Sequence, residues 1–361
     1  MANLKHRNND MAVSPIVATL VLIVVAVIGA VAVGTIMGTF SSDVSKQANS
    51  DKASSASATE IVIAGSTTVD PVTQAIAKLY SAQNPGVKIS SQATGSGAGF
   101  QAMTLGVTDI GAMSEFPDTA KMTQNPNAQQ YRIGSGAVAV IQNHKTPALA
   151  AFATTAVKQT DLDAIYTGNA AMPTGFNAAT FGVTRADSSG TADTFFKWIN
   201  GSKQSDMVFT SAANPVIKKS GNAAVVQYVG ATDYAIGYGD YGYVSGRTDV
   251  DMLSITQTIA TKIYTTTAVS GSAPATEWAA QYDRLAAAAQ NEYRNNVEKT
   301  KFAGQADAKN DYLISMIHPL VYLTNGAPSS SIVKSYIDFA QSGSAVQGFK
   351  DTNTFSLAQI F

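Results

Sequence analysis

The sequence repeatedly places a short β-branched run before a polar, glycine-containing turn and a stretch with helical spacing. The first unit runs from residues 61–64 through the turn 65–68 into a helix-spaced segment over 71–84. Similar units follow at residues 87–105 and 183–198. Strands that alternate with helices in this way indicate an α/β fold with mostly parallel strands. Ligands of such sheets bind beyond the carboxyl ends of the strands, where helix N-termini converge.

Composition narrows the classes of function. The chain has 361 residues with Lys+Arg 24 and Asp+Glu 25, and its formal net charge of -1 speaks against a nucleic-acid partner. It has no cysteine and only 3 histidines, so we predict no metal site and no cofactor. Charged residues make up 14%, below the ~25% of average domains, which is common in exported proteins. The length suggests about two domains.

The N-terminal region indicates the compartment. Residues 12–40 are apolar and uncharged, and this run exceeds the ~20 residues that a helix needs to cross a bilayer. A basic leader over 1–11 precedes it, so the positive-inside rule places the rest of the chain outside the cytoplasm. We predict a transmembrane helix over 12–40 that anchors the protein to the membrane, then a flexible linker over 41–59.

Three polar turns form the candidate binding site. They lie at 65–68, 95–99 and 185–191, and each offers hydroxyl groups, free backbone N–H groups and the positive end of a helix dipole. Arg185 adds a planar guanidinium that suits bidentate contacts with oxygen. One such turn alone is an ordinary helix N-cap. The three turns together with Arg185 favour a single shared oxyanion site.

Five segments carry a family resemblance. GSTTVDP, ATGSGAGFQAMTLGVTDIGA, TRADSSGTADTFFKW, YAIGYGDYGYV and VYLTNGAPSSSIVKSYIDFAQS occur in this order from about residue 60 to 361. They resemble the phosphate-binding subunit of the ABC-type phosphate importer. The resemblance implies a two-lobed type II periplasmic-binding-protein fold that holds inorganic phosphate in its cleft, and an ABC permease as partner. It implies one lobe at 60–138 with 312–361 and another at 139–311.

The resemblance also implies a set of phosphate contacts. They are Thr67, Thr68, Ser96, Asp109, Arg185, Ser189, Gly190 and Thr191. After Asp109-Ile110-Gly111, this chain has Met113-Ser114-Glu115 where many relatives have Ser-Arg or Ser-Asp.

Asp109 has a chemical rationale of its own. A carboxylate that faces an anion can accept the proton of hydrogen phosphate, whereas it would repel the unprotonated sulfate ion. The alternative interpretation is that Asp109 caps the adjacent turn.

The apolar segment offers a second reading of function. AVSPIVATLVLIVVAV resembles the N-terminal segment of archaeal type IV pilin-like proteins, and a plain signal anchor is the alternative. Small residues at 29, 30, 32 and 34 would allow close helix packing and self-association. The alternative function is therefore a pilus subunit or adhesin whose helix forms a fibre core and displays a binding-protein-like head in a surface filament.

Signs of catalysis are weak. The chain has no H-E-x-x-H, no G-x-S-x-G and no Walker lysine, so we predict that it is not an enzyme. Residues 237–242 fit G-x-G-x-x-G, but a strand-like segment rather than the helix of a dinucleotide site follows them. His318 lies in an apolar run and is interpreted as structural.

Two other segments do not bear on catalysis. Residues 275–301 are interpreted as an exposed, alanine-rich helical insertion, and Asn200 begins a glycosylation sequon.

Overall fold

The computed structural model describes residues 59–209, 214–259, 262–297 and 314–361. The predicted leader over 1–11, the helix over 12–40 and the linker up to residue 58 lie outside the described residues. Thr59, the last residue of the predicted linker, already belongs to the first strand. None of the helices in the described part of the chain is long and apolar enough to span a membrane.

Strands and helices alternate along the described residues, which confirms the predicted α/β class. The strands are β1 Thr59–Gly65, β2 Val87–Ala93, β3 Ile110–Met113, β4 Ala128–Asn143, β5 Val157–Lys158, β6 Phe181–Arg185, β7 Ile217–Lys219, β8 Ala235–Asp240, β9 Val250–Met252, β10 Ile255–Ile259, β11 Lys262–Thr265, β12 Ile317–Asn325 and β13 Phe355–Ser356. The helices are α1 Val69–Gln83, α2 Ser96–Thr104, α3 Thr119–Gln124, α4 Gln159–Thr167, α5 Gly190–Asn200, α6 Gly221–Ala231, α7 Tyr241–Val244, α8 Ala275–Val297, α9 Ser331–Gln341, α10 Val346–Asp351 and α11 Leu357–Ile360.

The main sheet has the strand order β2-β1-β3-β12-β4-β8-β6-β7, and β9 and β13 also pair with β4. β1 pairs in parallel with β2 and β3, and β6 pairs in parallel with β7 and β8. The long strand β4 joins these two parallel groups. Its first part, residues 128–137, runs antiparallel to β12, and residues 138–142 run antiparallel to β8. A small sheet of β11, β10 and β5 lies apart from this path.

Two large apolar cores lie along this sheet. One contains Ile61 of β1, Ile133 of β4 and Tyr322 of β12. The other contains residues 138–141 of β4 and most of the buried apolar residues between 148 and 317. Because β4 contributes to both cores, the backbone itself connects them. The C-terminal strand β13 contributes Phe355 to the second core.

The structure corrects the interpretation of residues 275–301 as an exposed insertion. Within α8, the side chains of Trp278, Leu285, Ala288 and Ala289 are buried in the second core. The alanines allow the helix to approach its neighbours closely. Although the helix is polar in overall composition, one of its faces is apolar and buried. Residues 298–301 lie outside the described part of the chain.

Candidate functional site

The first two polar turns lie against each other at the carboxyl edge of β1. Gly65 ends this strand, and an ideal β-carbon on it would lie 2.0 Å from the carbonyl oxygen of Ala112. A β-carbon on Gly99 in α2 would lie 2.4 Å from the α-carbon of Gly65. Glycine is therefore required at both positions for the backbones to come this close. The contact places the N-terminus of α2 beside the first turn.

The third polar turn packs against the second. A β-carbon on Gly97 would lie 2.8 Å from the side chain of Ser188, and one on Gly190 would lie 2.5 Å from the carbonyl oxygen of Ser114. Ser189 is the N-cap of α5, because its Oγ accepts a backbone N–H of the first helical turn at 3.3 Å. The N-terminus of α5 is thus held against the residue that follows β3.

Two hydrogen bonds join the first turn to the third. Arg185 Nη2 donates to Thr67 Oγ1 at 3.0 Å, and Thr68 Oγ1 lies 2.7 Å from Thr191 Oγ1. These partners are 118 and 123 residues apart in the sequence, so the fold alone brings them together. Seven of the eight predicted contacts thus lie in one cluster of turns. They are Thr67, Thr68, Ser96, Arg185, Ser189, Gly190 and Thr191.

Arg185 supplies a buried positive charge in this cluster, with only 2% of its surface exposed. Its Nε donates to Asp187 Oδ1 at 2.9 Å, and its Nη2 donates to Asp187 Oδ2. Burial alone would raise the pKa of Asp187, but the hydrogen bond and charge of Arg185 hold this pKa below its ordinary value. Arg185 Nη1 has no hydrogen-bond partner among the described residues. The guanidinium therefore keeps one donor for a further acceptor.

Four helix N-termini add to this positive potential. α1, α2 and α5 begin at the three turns, and α6 begins beside the first one. A β-carbon on Gly221, the first residue of α6, would lie 3.4 Å from Thr67 Cγ2. Each helix N-terminus carries a partial positive charge of about half an elementary unit. Together with Arg185, these termini make the cluster suited to bind an anion.

Sequence reasoning missed Asn222, which is fully buried at the start of α6. Its Nδ2 donates to Thr68 Oγ1 at 2.7 Å, and its Oδ1 accepts the backbone N–H of Asp240 at 3.4 Å. A signal was present, because Ser220 and Gly221 also form a polar turn between the short strand β7 and a helix. From the sequence, Ser114 is notable only as a departure from relatives. In the structure its Oγ lies 3.3 Å from Ser96 Oγ, within the cluster of turns.

Asp109 requires a correction, because the structure does not bring it to the cluster. It precedes β3, at the end of the strand opposite to Ser114. Its Oδ2 accepts the backbone N–H of Val62 at 3.0 Å, and its Oδ1 accepts Ser329 Oγ at 2.9 Å. Both carboxylate oxygens are thus used in hydrogen bonds away from the cluster. The two partners lie 47 and 220 residues away in the sequence, so Asp109 joins β1 to the segment before α9 rather than capping the adjacent turn.

A cavity of about 470 Å³ opens beside Arg185. Its lining includes Lys121 and Asp118, which follow β3, and Lys203, which follows α5. Lys203 Nζ donates to Asp118 Oδ2 across the cavity, and this bond together with the backbone N–H of Lys121 holds the pKa of Asp118 well below its usual range. The cluster of turns therefore has a solvent-facing mouth with ionic groups on both sides.

Glu115 is a nearly buried carboxyl next to Ser114, with 9% of its surface exposed. Burial and, secondly, the negative charge of Asp193 in α5 raise the pKa of Glu115 to about 7. Lys121 Nζ, 3.8 Å from Glu115 Oε1, offsets only part of this effect. The contact between the β3 end and α5 thus contains a carboxyl that titrates near neutral pH.

The architecture is that of a type II periplasmic-binding protein, an α/β fold of two lobes. The chain belongs to the PBP superfamily, because residues 50–343 match the family model described as the PBP superfamily domain. No curated protein sequence is similar enough to count as a relative.

Several solved structures share this fold. A protein from Clostridium perfringens, assigned as a phosphate ABC transporter substrate-binding protein and solved with bound phosphate, is 20% identical with a TM-score of 0.56, covering 82% of this chain and 99% of its own. An ABC-type phosphate transport receptor from Vibrio cholerae is 20% identical with a TM-score of 0.51 and the same coverage. A phosphate-binding protein from Stenotrophomonas maltophilia is 14% identical with a TM-score of 0.52, covering 84% and 92%. At these identities the likeness establishes a common fold.

Proposed function

We propose that this chain is a cell-surface solute-binding protein that captures inorganic phosphate and delivers it to the permease of an ABC importer. The observation that carries the proposal is the contact of the buried Arg185 with Thr67, which joins polar turns from distant parts of the sequence. Hydroxyl groups, helix N-termini and a guanidinium with an unpartnered Nη1 suit a tetrahedral oxyanion. The phosphate named for the Clostridium perfringens structure supports the same ligand.

The proposed phosphate contacts are the seven clustered residues, to which we add Ser114 and Asn222. With Asp109 placed elsewhere, the proton of hydrogen phosphate still has acceptors. A Ser or Thr hydroxyl can donate one hydrogen bond and also accept others, so it can pair with a P–OH group as well as with P–O⁻. Phosphate binding in this site thus does not need a carboxylate.

The proposed binding lobes comprise residues 60–138 with 312–361, and residues 139–311. The division between the two apolar cores near residue 138 of β4 supports these limits. Phe355 and Ile360 pack in the second core although they belong to the first lobe by sequence, so the C-terminus spans both. Hinge motion between such lobes would open and close the cleft around phosphate without chemical turnover, as expected of a binding protein rather than an enzyme.

We further propose that the apolar segment over 12–40 anchors this head on the outer face of the cell membrane. The length of that segment and the basic leader support this proposal. The second candidate function, a filament subunit with a pilin-like helix, is favoured by the resemblance of that segment alone. Electron microscopy of the purified full chain separates the two, because only the second predicts fibres.

Isothermal titration calorimetry of the full chain with phosphate, sulfate and tungstate tests the ligand directly. We expect saturable, one-to-one binding of phosphate. Absence of phosphate binding with retained binding of another oxyanion would overturn the choice of ligand but not the anion site. Absence of binding for all three would overturn the proposed site as well.

A further inference from the structure

His318 is buried on β12 directly behind the anion site, with 1% of its surface exposed. It lies opposite Gly136 of β4 in the sheet. Its Nδ1 lies 3.1 Å from the carbonyl oxygen of Ser114, and its Nε2 lies 3.1 Å from Asp240 Oδ2. Both ring nitrogens thus face oxygen atoms that ordinarily accept hydrogen bonds.

These contacts determine how many protons the pair His318–Asp240 holds. A carbonyl oxygen can only accept, so His318 Nδ1 must carry a hydrogen to bond Ser114. A neutral imidazole with its hydrogen on Nδ1 has a lone pair on Nε2, which would face the lone pairs of an ionised Asp240. A second proton must therefore lie between Nε2 and Asp240 Oδ2. Asp240 Oδ1 is already an acceptor, since the backbone N–H of Gly242 donates to it at 3.0 Å.

The pair connects two sides of the anion site. On one side, the carbonyl oxygen of Ser114 accepts the hydrogen bond from His318 Nδ1, and the backbone N–H of Ser114 donates to Ser96 Oγ at 3.3 Å. On the other side, the backbone of Asp240 holds Asn222, which donates to Thr68 Oγ1 at 2.7 Å. One shared proton thus lies in a continuous chain of contacts from the second turn to the first.

We propose that His318 is a positioning residue, and that the proton it shares with Asp240 holds the anion site in its binding geometry. This inference rests on the proposed binding of phosphate. Loss of the proton would leave one net negative charge behind the site and a repulsive contact between Nε2 and Oδ2. Phosphate would therefore bind more weakly after that proton is lost. His318 acts through Ser114 and Asn222 and need not touch the anion itself.

The ionisable surroundings of the ring are few in the described part of the chain. Asp240 is the only ionisable side chain there in hydrogen-bond contact with His318. Gly136 faces the ring from β4 and contributes no side chain, and a β-carbon there would lie 2.4 Å from Asp240 Oδ2. Tyr243 lies near Asp240, and burial together with that carboxylate raises its pKa, so its hydroxyl stays neutral. Glu115 follows Ser114, two residues beyond the end of β3.

Nitrogen NMR of the full chain with labelled histidine tests the shared proton without any ligand. The chain has only His6, His144 and His318, so a His318→Gln variant assigns the signals. We expect His318 to show hydrogen bonding at both ring nitrogens at neutral pH. A bare Nε2 beside an ionised Asp240 at pH 7 would overturn the proposal.

Phosphate affinity measured with and without the shared proton tests the positioning role. Each variant is compared with the wild type at the same pH, which cancels the ionisation of phosphate itself. We expect His318→Gln to bind phosphate at least about tenfold more weakly than the wild type at a pH where the NMR spectrum shows the shared proton, and to approach the wild type at a pH where the spectrum shows that this proton is lost. An equal ratio in the two states would show a merely structural effect and refute the proposal.

His144 provides a matched control, because it makes a similar pair with the buried Asp251 (Nδ1 to Oδ1, 2.7 Å) outside the cluster of turns. His144→Gln should leave phosphate affinity within about twofold of the wild type. If His318→Gln does not fold, Asp240→Asn replaces it: this variant keeps an oxygen for Gly242 but should remove the pH-dependent part of affinity. If the wild type binds no phosphate, the proposed function fails, and the NMR result still decides whether the proton is shared.

Discussion

Gly190 and Ser114 touch so closely that no side chain fits between them. An ideal β-carbon on Gly190 would lie 2.5 Å from the carbonyl oxygen and 2.8 Å from the hydroxyl oxygen of Ser114. The first residue of α5 thus rests directly on the residue that follows β3. This contact joins the two predicted lobes at the candidate site.

Replacing Gly190 with alanine should separate these two segments. We expect Gly190→Ala to weaken phosphate binding at least about tenfold and to lower the free energy of unfolding by about 1–3 kcal/mol, because the added methyl group must displace backbone atoms. Calorimetry and urea denaturation measure the two effects. Gly343→Ala is the control: a β-carbon there meets nothing within 4 Å, so both quantities should stay near the wild-type values.

Removal of the Arg185 side chain should cost most of the phosphate affinity. Losing one buried charge-assisted pair typically costs about 2–5 kcal/mol, which corresponds to a weakening of at least about 30-fold for Arg185→Ala. Arg247→Ala is a matched control, since Arg247 donates to Asp249 through the same two nitrogens but is 34% exposed in the loop after α7. Equal affinities of the two variants would mean that Arg185 does not meet the ligand.

Asp109 should matter for stability and not for anion selectivity. Asp109→Asn removes the charge that accepts hydrogen bonds from Val62 and Ser329, so we expect a loss of about 1 kcal/mol in the free energy of unfolding. The ratio of phosphate to sulfate affinity should not change. If the variant binds sulfate more readily than the wild type does, Asp109 contacts the anion, and the position of Asp109 in the structure is wrong.

Glu115 should make the protein less stable as pH rises towards neutrality. Its pKa is about 7 in the folded chain and 4.5 ordinarily, so between these values the folded state binds more protons than the unfolded state. The free energy of unfolding then falls as pH rises from about 4.5 to 7, by up to about 3 kcal/mol from this group. Glu115→Gln should abolish this contribution and stabilise the protein at pH 8.

Urea denaturation at pH 5 and pH 8 measures this effect. Glu60→Gln serves as the control, because Glu60 is exposed, and its carboxylate contacts Lys88 Nζ at 3.2 Å and accepts a hydrogen bond from Ser90. If Glu115→Gln and wild type lose stability in parallel between the two pH values, Glu115 is ionised in the folded chain and the prediction is wrong.

The part of the site that could be predicted from the sequence is the part with a local signature. A β-branched run, a turn of Gly, Ser and Thr and a helical repeat occur within a few residues of each other at Thr67, Ser96 and Ser189. Carboxyl ends of parallel strands meet at one edge, so these turns were expected to converge. Prediction of two lobes and of phosphate depended on the order of five segments and not on any single motif.

The positions of Asp109, Asn222 and α8 could not be predicted, because they depend on contacts between segments that are distant in the sequence. Asp109 stands before β3 and not after it, so strand direction places it at the opposite end from Ser114. Asn222 enters the site because α6 begins next to Thr67; the polar turn at residues 220–221 predicts a helix start there, but it does not predict the contact with Thr67. The buried face of α8 mixes the apolar residues Trp278, Leu285 and Ala288 with polar ones such as Gln281, which leaves little periodic signal.

Both apolar cores close around the last residues of the chain. Ile61 shares a core with Tyr322 and Phe349, and Val138 shares one with Phe355 and Ile360. Contacts of such long sequence separation form late, because the loop between the partners must first be ordered. During synthesis from the N-terminus, neither core can be completed until almost the whole chain has emerged. The topology thus keeps the nascent polypeptide incompletely folded until its synthesis is nearly finished.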